Sequence, residues 1–144
     1  MTPPSAVFLD TNALLAFGRS ATPLPGPVKN RVREAGEQQA IYISPVSAWE
    51  IAQGLRGKPK PDYTAPRAAP LAWWRTVLAL EQVSLAPLTP EIAFDAYAMP
   101  EPFHKDPADR LLVATARALG CPIVTSDRAI AAYGRLGHVQ VIGF

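Results

Sequence analysis

Residues 104–127, HKDPADRLLVATARALGCPIVTSD, decide the fold. They spell a helix followed by a buried strand, with acids at both ends: Asp106 and Asp109 open the stretch and Asp127 closes it. Asp106-Pro107-Ala108-Asp109 is a helix start. Asp106 offers an N-cap oxygen, Pro107 sits where its missing N–H costs nothing, and Asp109 falls at the third helical position. Leu111, Leu112, Thr115, Ala118 and Leu119 continue as a mostly apolar helix, and Gly120 is a suitable stop. Cys121-Pro122-Ile123-Val124-Thr125 is then almost wholly apolar, the pattern of a strand buried on both faces of a parallel sheet. Ligands of such sheets bind outside the carboxyl ends of the strands, and Asp127 lies just past that end.

The same pattern recurs at the start of the chain. Ala6–Leu9 is a short apolar strand ending in Asp10, and Thr11 or Asn12 is placed to cap a helix over Ala13–Phe17. Asp10 reads equally well as a helix cap or as a carboxylate on the ligand side of the sheet. After a proline-rich loop at 20–27, a polar helix runs from Val28 to about Gln39, its Lys29, Arg31 and Arg33 forming a solvated face. Ile41–Ile43 is a second strand, and Ser44-Pro45 repeats the cap-and-proline device before a helix over Val46–Leu55. Glu50 stands in that helix beside the apolar Val46, Trp49, Ile51 and Leu55. A carboxylate there needs a solvated cleft, a partner or a metal, because burying it bare costs too much.

Residues 56–70 form the longest irregular stretch, a basic, proline-bearing connection. A helix over Leu71–Glu81 follows. Its Trp73 and Trp74 diverge by about 100°, which places one in the core and the other at an interface. Val83–Leu85 is a third strand, and Thr89-Pro90-Glu91 opens a helix reaching about Met99. His104 reads as a structural or substrate-contacting imidazole. Beyond Asp127 come a short helix, Arg128–Tyr133, stopped by Gly134, and a last edge strand, Val139–Ile142. The alternation predicts one α/β domain over residues 1–144, three layers with a central, mainly parallel sheet of about five strands.

Composition narrows the function. The chain has 144 residues, 49% of them hydrophobic and 18% charged, and its length suffices to bury roughly two-thirds of the unfolded surface. A single cysteine, Cys121, excludes an internal disulfide and is expected to be a buried, inert thiol. No apolar run approaches the ~18 residues of a membrane span, and no secretory leader pattern opens the chain, so the expected location is the cytoplasm. If four of the 12 acids gather at one site, 8 remain against 14 Lys and Arg. A basic surface around an acidic hole suits a polyanion held near a metal.

Asp10, Glu50, Asp109 and Asp127 all fall near strand ends or in early helical turns, positions that share one edge of a parallel sheet. Four converging carboxylates repel unless protonated or bridged by a cation, and Mg²⁺ or Mn²⁺ accepts such oxygen ligands. The chemistry this supports is metal-assisted phosphodiester hydrolysis. No Ser-His-Asp set, zinc-type Cys/His spacing or glycine-rich phosphate loop competes. A haloacid-dehalogenase-type phosphatase requires a second Asp two residues after the first, where this chain has Asn12. A binding module that keeps its acids without using them is the other alternative.

FLDTN at 8–12, SPVSAWEIA at 44–52, HKDPADRLLVATA at 104–116 and VTSD at 124–127 closely resemble the PIN-domain ribonucleases, specifically the VapC-type toxins of bacterial toxin–antitoxin pairs. The resemblance covers essentially the whole chain and implies a PIN-like fold. It carries the family's metal-site acids onto Asp10, Glu50, Asp109 and Asp127, and an additional acid onto Asp106. Asn12, Thr125 and Ser126 match polar neighbours that orient metal-bound water, and Arg110 is expected to steady the acids or touch phosphate. The resemblance also implies one or two Mg²⁺ or Mn²⁺ ions, an RNA substrate, a homodimer, and neutralisation by a small DNA-binding antitoxin. The departures are the insertion at 56–70 and the loop at 20–27, which bear on substrate preference and the antitoxin groove.

Overall fold

Five three-residue strands, β1 (Val7–Leu9), β2 (Ile41–Ile43), β3 (Val83–Leu85), β4 (Ile123–Thr125) and β5 (Val141–Gly143), pair in parallel in the order β3-β2-β1-β4-β5. This is a computed structural model, and it describes residues 2–18, 23–58 and 63–144, apart from the side chains of residues 64 and 65. Parts of the expected loops at 20–27 and 56–70 therefore lie outside the described residues. The strand order reverses between β1 and β4, which pair as Phe8 with Ile123 and Leu9 with Val124. That reversal leaves a crevice at the carboxyl ends, where open parallel sheets bind ligands.

Alternation along each strand feeds two apolar layers. Phe8 and Ile123 point into one, with Ile92, Leu112, Val113, Ile130 and Tyr133. Val7, Leu9 and Val124 point into the other, with Leu14, Leu15, Val32, Ile51 and Val77. Central β1 and β4 are buried at every position, whereas Leu85 of β3 and Gly143 of β5 are exposed at the sheet edges. Burial on both faces explains why β1 and β4 read as unbroken apolar runs.

The helices are α1 (Thr11–Phe17), α2 (Gly26–Glu37), α3 (Pro45–Gly54), α4 (Thr64–Ala68), α5 (Pro70–Leu78), α6 (Pro90–Ala98), α7 (Pro107–Leu119) and α8 (Arg128–Arg135). The cap-and-proline starts form as expected: Ser44, Thr89 and Asp106 accept from the N–H groups of Val46, Ile92 and Asp109. Gly120 ends α7 at φ 65°, a left-handed conformation that glycine adopts without strain.

Several boundaries differ from expectation. Asp10 itself caps α1, accepting from Ala13 N at 2.8 Å, so neither Thr11 nor Asn12 is the cap. Residues 56–70 are not wholly irregular, since α4 forms within them. Gly134 does not stop α8. A β-carbon there would lie 2.5 Å from Val141 Cγ2, so this glycine serves close packing of α8 on β5. Trp73 and Trp74 are both half-buried against one apolar layer, and the exposed tryptophan is Trp49, 56% exposed on α3. Trp49 is as apolar as its neighbours, but its helix turns Val46 and Ile51 inward instead. Cys121 is buried, and burial pushes its thiol up to about 11. No helix among the described residues is long and apolar enough to cross a membrane.

Candidate metal centre

A small cavity of about 70 Å³ opens at the carboxyl ends of β1 and β4, lined by Asp10, Thr11, Asn12, Glu50, Tyr63, Asp109, Leu112 and Asp127. All four acids expected to converge therefore do so. Each arrives on a different element. Asp10 follows β1 and Asp127 follows β4; the two strands are neighbours, and Asp10 N donates to Val124 O at 3.1 Å. Glu50 comes from the second turn of α3, and Asp109 from the first turn of α7.

Local chemistry fixes each carboxylate. Asp10 and Asp127 are N-caps, accepting from Ala13 N and Ile130 N through Oδ1 of each. Thr125 joins them: its Oγ1 accepts the Asp127 N–H at 2.9 Å, and its hydroxyl donates to Asp10. Thr11 Oγ1 donates to Glu50 Oε1, and Ser47 Oγ lies 3.0 Å from that same hydroxyl. Because an ionised carboxylate only accepts, Ser47 must donate to Thr11 and Thr11 to Glu50, a two-step relay that aims the glutamate.

The cost of this convergence shows in protonation. Burial, with the Glu50 and Asp127 charges adding to it, pushes Asp10 up to about 6 against the hydrogen bonds from Thr125 and Ala13. Asp109 rises to about 7 by burial and by the charges of Asp127, Asp106, Glu50 and Asp10. Glu50 is raised as well, chiefly by burial. Carboxylates whose ionisation is opposed by burial, and further by one another, fit a hard cation in donor type and in charge.

The accessory residues divide. Asn12 is exposed at the cavity wall, Asp106 is an exposed cap that adds charge, and Ser126 is exposed and outside the lining. Arg110 reaches neither the acids nor solvent. It is 5% exposed and donates to the carbonyls of His104, Ala96 and Phe103 at 3.0, 3.0 and 3.1 Å, and to Glu101 Oε1 at 2.9 Å. Tyr97 and Phe103 flank the guanidinium at 5.2 and 5.6 Å. Its donors are spent on α6 and the loop before α7, which corrects the expected contact with acids or phosphate. Thr11, Ser47 and Tyr63 are site residues that sequence reasoning missed. His104 was noticed, but not its place, with Nε2 3.0 Å from Asp109 Oδ2.

Comparison with known proteins bears on the family and the fold. The family model described as PIN domain matches residues 7–136. Ribonuclease VapC22 of Mycobacterium tuberculosis is 44% identical over 63 residues, 44% of this chain and 48% of that protein, so the match spans about half of that relative. The crystal structure of VapBC2 from Rickettsia felis bound to a promoter DNA fragment is similar with TM-score 0.67 at 14% identity, covering 96% of this chain and 98% of that one. DNA-bound VapBC from Salmonella typhimurium gives 0.65 at 15% identity, covering 99% and 98%. Both likenesses establish the three-layer parallel fold. A match running from the first strand to the last helix takes in every element that carries one of the four acids, and the chain belongs to the PIN domain family.

Proposed function

We propose that this chain is a metal-dependent endoribonuclease, the toxin of a VapC-type toxin–antitoxin pair. The observation that carries the reading is the gathering of Asp10, Glu50, Asp109 and Asp127 around one small cavity, where burial and neighbouring charge raise the protonation of Asp10, Glu50 and Asp109. The name of the similar ribonuclease and the toxin–antitoxin complexes among the similar folds support it.

In this reading the four acids hold one or two Mg²⁺ or Mn²⁺ ions. When bound, such an ion supplies positive charge for the phosphodiester and lowers the pKa of water toward neutrality. The rest falls to the chain. Thr125 ties the Asp10 carboxylate to the Asp127 backbone, while the Ser47–Thr11 relay keeps Glu50 turned inward. Asn12, exposed at the wall, offers an amide to water or to a phosphate oxygen. The exposed Lys and Arg side chains, such as Lys29 and Arg33 of α2, attract the RNA backbone. A homodimer, and a small DNA-binding antitoxin that covers the site, complete the proposal.

Incubating a mixed RNA pool with purified protein in Mg²⁺, in Mn²⁺ and in EDTA, alongside Asp10→Asn, tests it. Cleavage that needs both metal and Asp10 is expected. Cleavage that survives EDTA, or survives Asp10→Asn, Asp109→Asn and Asp127→Asn combined, would defeat it. A folded protein that binds RNA without cutting it under any condition would point to the binding module instead.

A further inference from the structure

His104 Nε2, Asp109 and Asp127 present three ligand atoms that all lie within 4.8 Å of one another. Nε2 is shielded from water and makes no hydrogen bond, although Asp109 Oδ2 is only 3.0 Å away; the two atoms are not aligned as donor and acceptor. A buried nitrogen held this close to a carboxylate oxygen, yet out of hydrogen-bonding alignment with it, is placed for a ligand that both atoms can share. Two cis ligands of one octahedral ion, each at about 2.1 Å, lie about 3.0 Å apart, which is the separation found here.

The imidazole is also held in place. The edge of Phe103 packs on it at 4.7 Å and 67°, and Phe103 stacks in turn on buried Tyr133. Arg110 fixes the backbone beneath, donating to the His104 and Phe103 carbonyls. A buried arginine and two rings thus position one histidine beside the acidic cavity.

Resting on the nuclease reading above, we propose that His104 Nε2 ligates the same divalent ion as Asp109 and Asp127. The added nitrogen moves the donor set away from the all-oxygen shell that Mg²⁺ prefers and toward transition ions, so the site favours Mn²⁺ over Mg²⁺. Asp106, Glu50 and Asp10 also act on Asp109, and their carboxylates offer only oxygen.

Pulsed EPR of Mn²⁺ bound to the wild-type protein tests this without a variant, and the chain has only two histidines. Imidazole ¹⁴N coupling to Mn²⁺ is expected, lost in His104→Ala and kept in His138→Ala. His104→Ala should also weaken Mn²⁺ by about tenfold more than Mg²⁺ in calorimetric titrations. Mn²⁺ binding that depends on Asp10 but shows no imidazole coupling would overturn the role of His104 and leave the nuclease reading intact. No Mn²⁺ binding at all would overturn both.

Discussion

At the scale of single residues, two of the site carboxylates have two occupations. Asp10 and Asp127 each cap a helix and line the cavity, so charge and cap separate by substitution. Asp10→Asn retains a capping oxygen and removes the charge, whereas Asp10→Ala removes both. In EDTA at pH 8, Asp10→Asn should melt at or above the wild-type temperature, and Asp10→Ala should be about 1 kcal/mol less stable than Asp10→Asn. Both should lose RNA cleavage, and calorimetry beside an RNA assay checks the pair. The pH dependence has a definite sign. Asp10 and Asp109 bind protons more tightly folded than unfolded, rising from 3.8 to about 6 and about 7. Their stabilising protonation is complete below about pH 4 and lost as pH rises through 6 and 7. Without metal the melting temperature should therefore fall between pH 5 and pH 8, and Asp10→Asn should flatten that slope. A rising wild-type curve that Asp10→Asn leaves unchanged would contradict the convergence.

At the scale of elements, three helix starts announced themselves because a cap and a proline are local chemistry. Asp106-Pro107, Ser44-Pro45 and Thr89-Pro90 fold as a dipeptide rule says they should. Features set by packing were illegible. Gly134 resembled a stop, yet its reason is the side chain of Val141, 7 residues away in sequence and in contact across α8 and β5. Arg110 resembled a site residue because it neighbours Asp109, but helical geometry turns adjacent residues about 100° apart, and Arg110 faces Glu101 and three carbonyls instead. Arg110→Met should cost about 2–4 kcal/mol in denaturant melts, since one buried and two part-buried carbonyls lose their donor. A near-neutral effect would mean that water replaces the guanidinium. Gly54 is a parallel case at the cavity: a β-carbon would come within 2.8–2.9 Å of the Tyr63 ring. Gly54→Ala should shift Tyr63 off the cavity wall, lowering RNA cleavage with little change in melting temperature.

Over the whole molecule, the sheet order does the gathering. Strand identities and parallel direction were readable from apolar runs, and convergence on one edge follows from parallel pairing alone. What was not readable is the order, which seats β4 beside β1 and so brings residue 127 next to residue 10. The Ser47–Thr11–Glu50 relay was hidden for the same reason, since it needs α3 laid against α1. Because a cation relieves repulsion among acids drawn from α3, α7, β1 and β4, its effect should spread through the fold. At a hundredfold excess over its dissociation constant, Mn²⁺ should add about 2.7 kcal/mol, or roughly 5–10 °C in melting temperature. Differential scanning fluorimetry with Asp10→Asn and Asp127→Asn as controls reads that increment, and an equal rise in the double variant would place the ion elsewhere.

The double duty of Asp10 and Asp127 reaches beyond this one chain to how its descendants drift. Where nuclease activity ceased to matter, selection for folding alone would still hold Asp, Asn, Ser or Thr at 10 and 127, because the helices behind them need a cap. Glu50 and Asp109 cap nothing, and burial makes them a burden once no cation is wanted. Retired copies should therefore lose residues 50 and 109 first, leaving the strand-end aspartates as a signature that outlives the activity it once served.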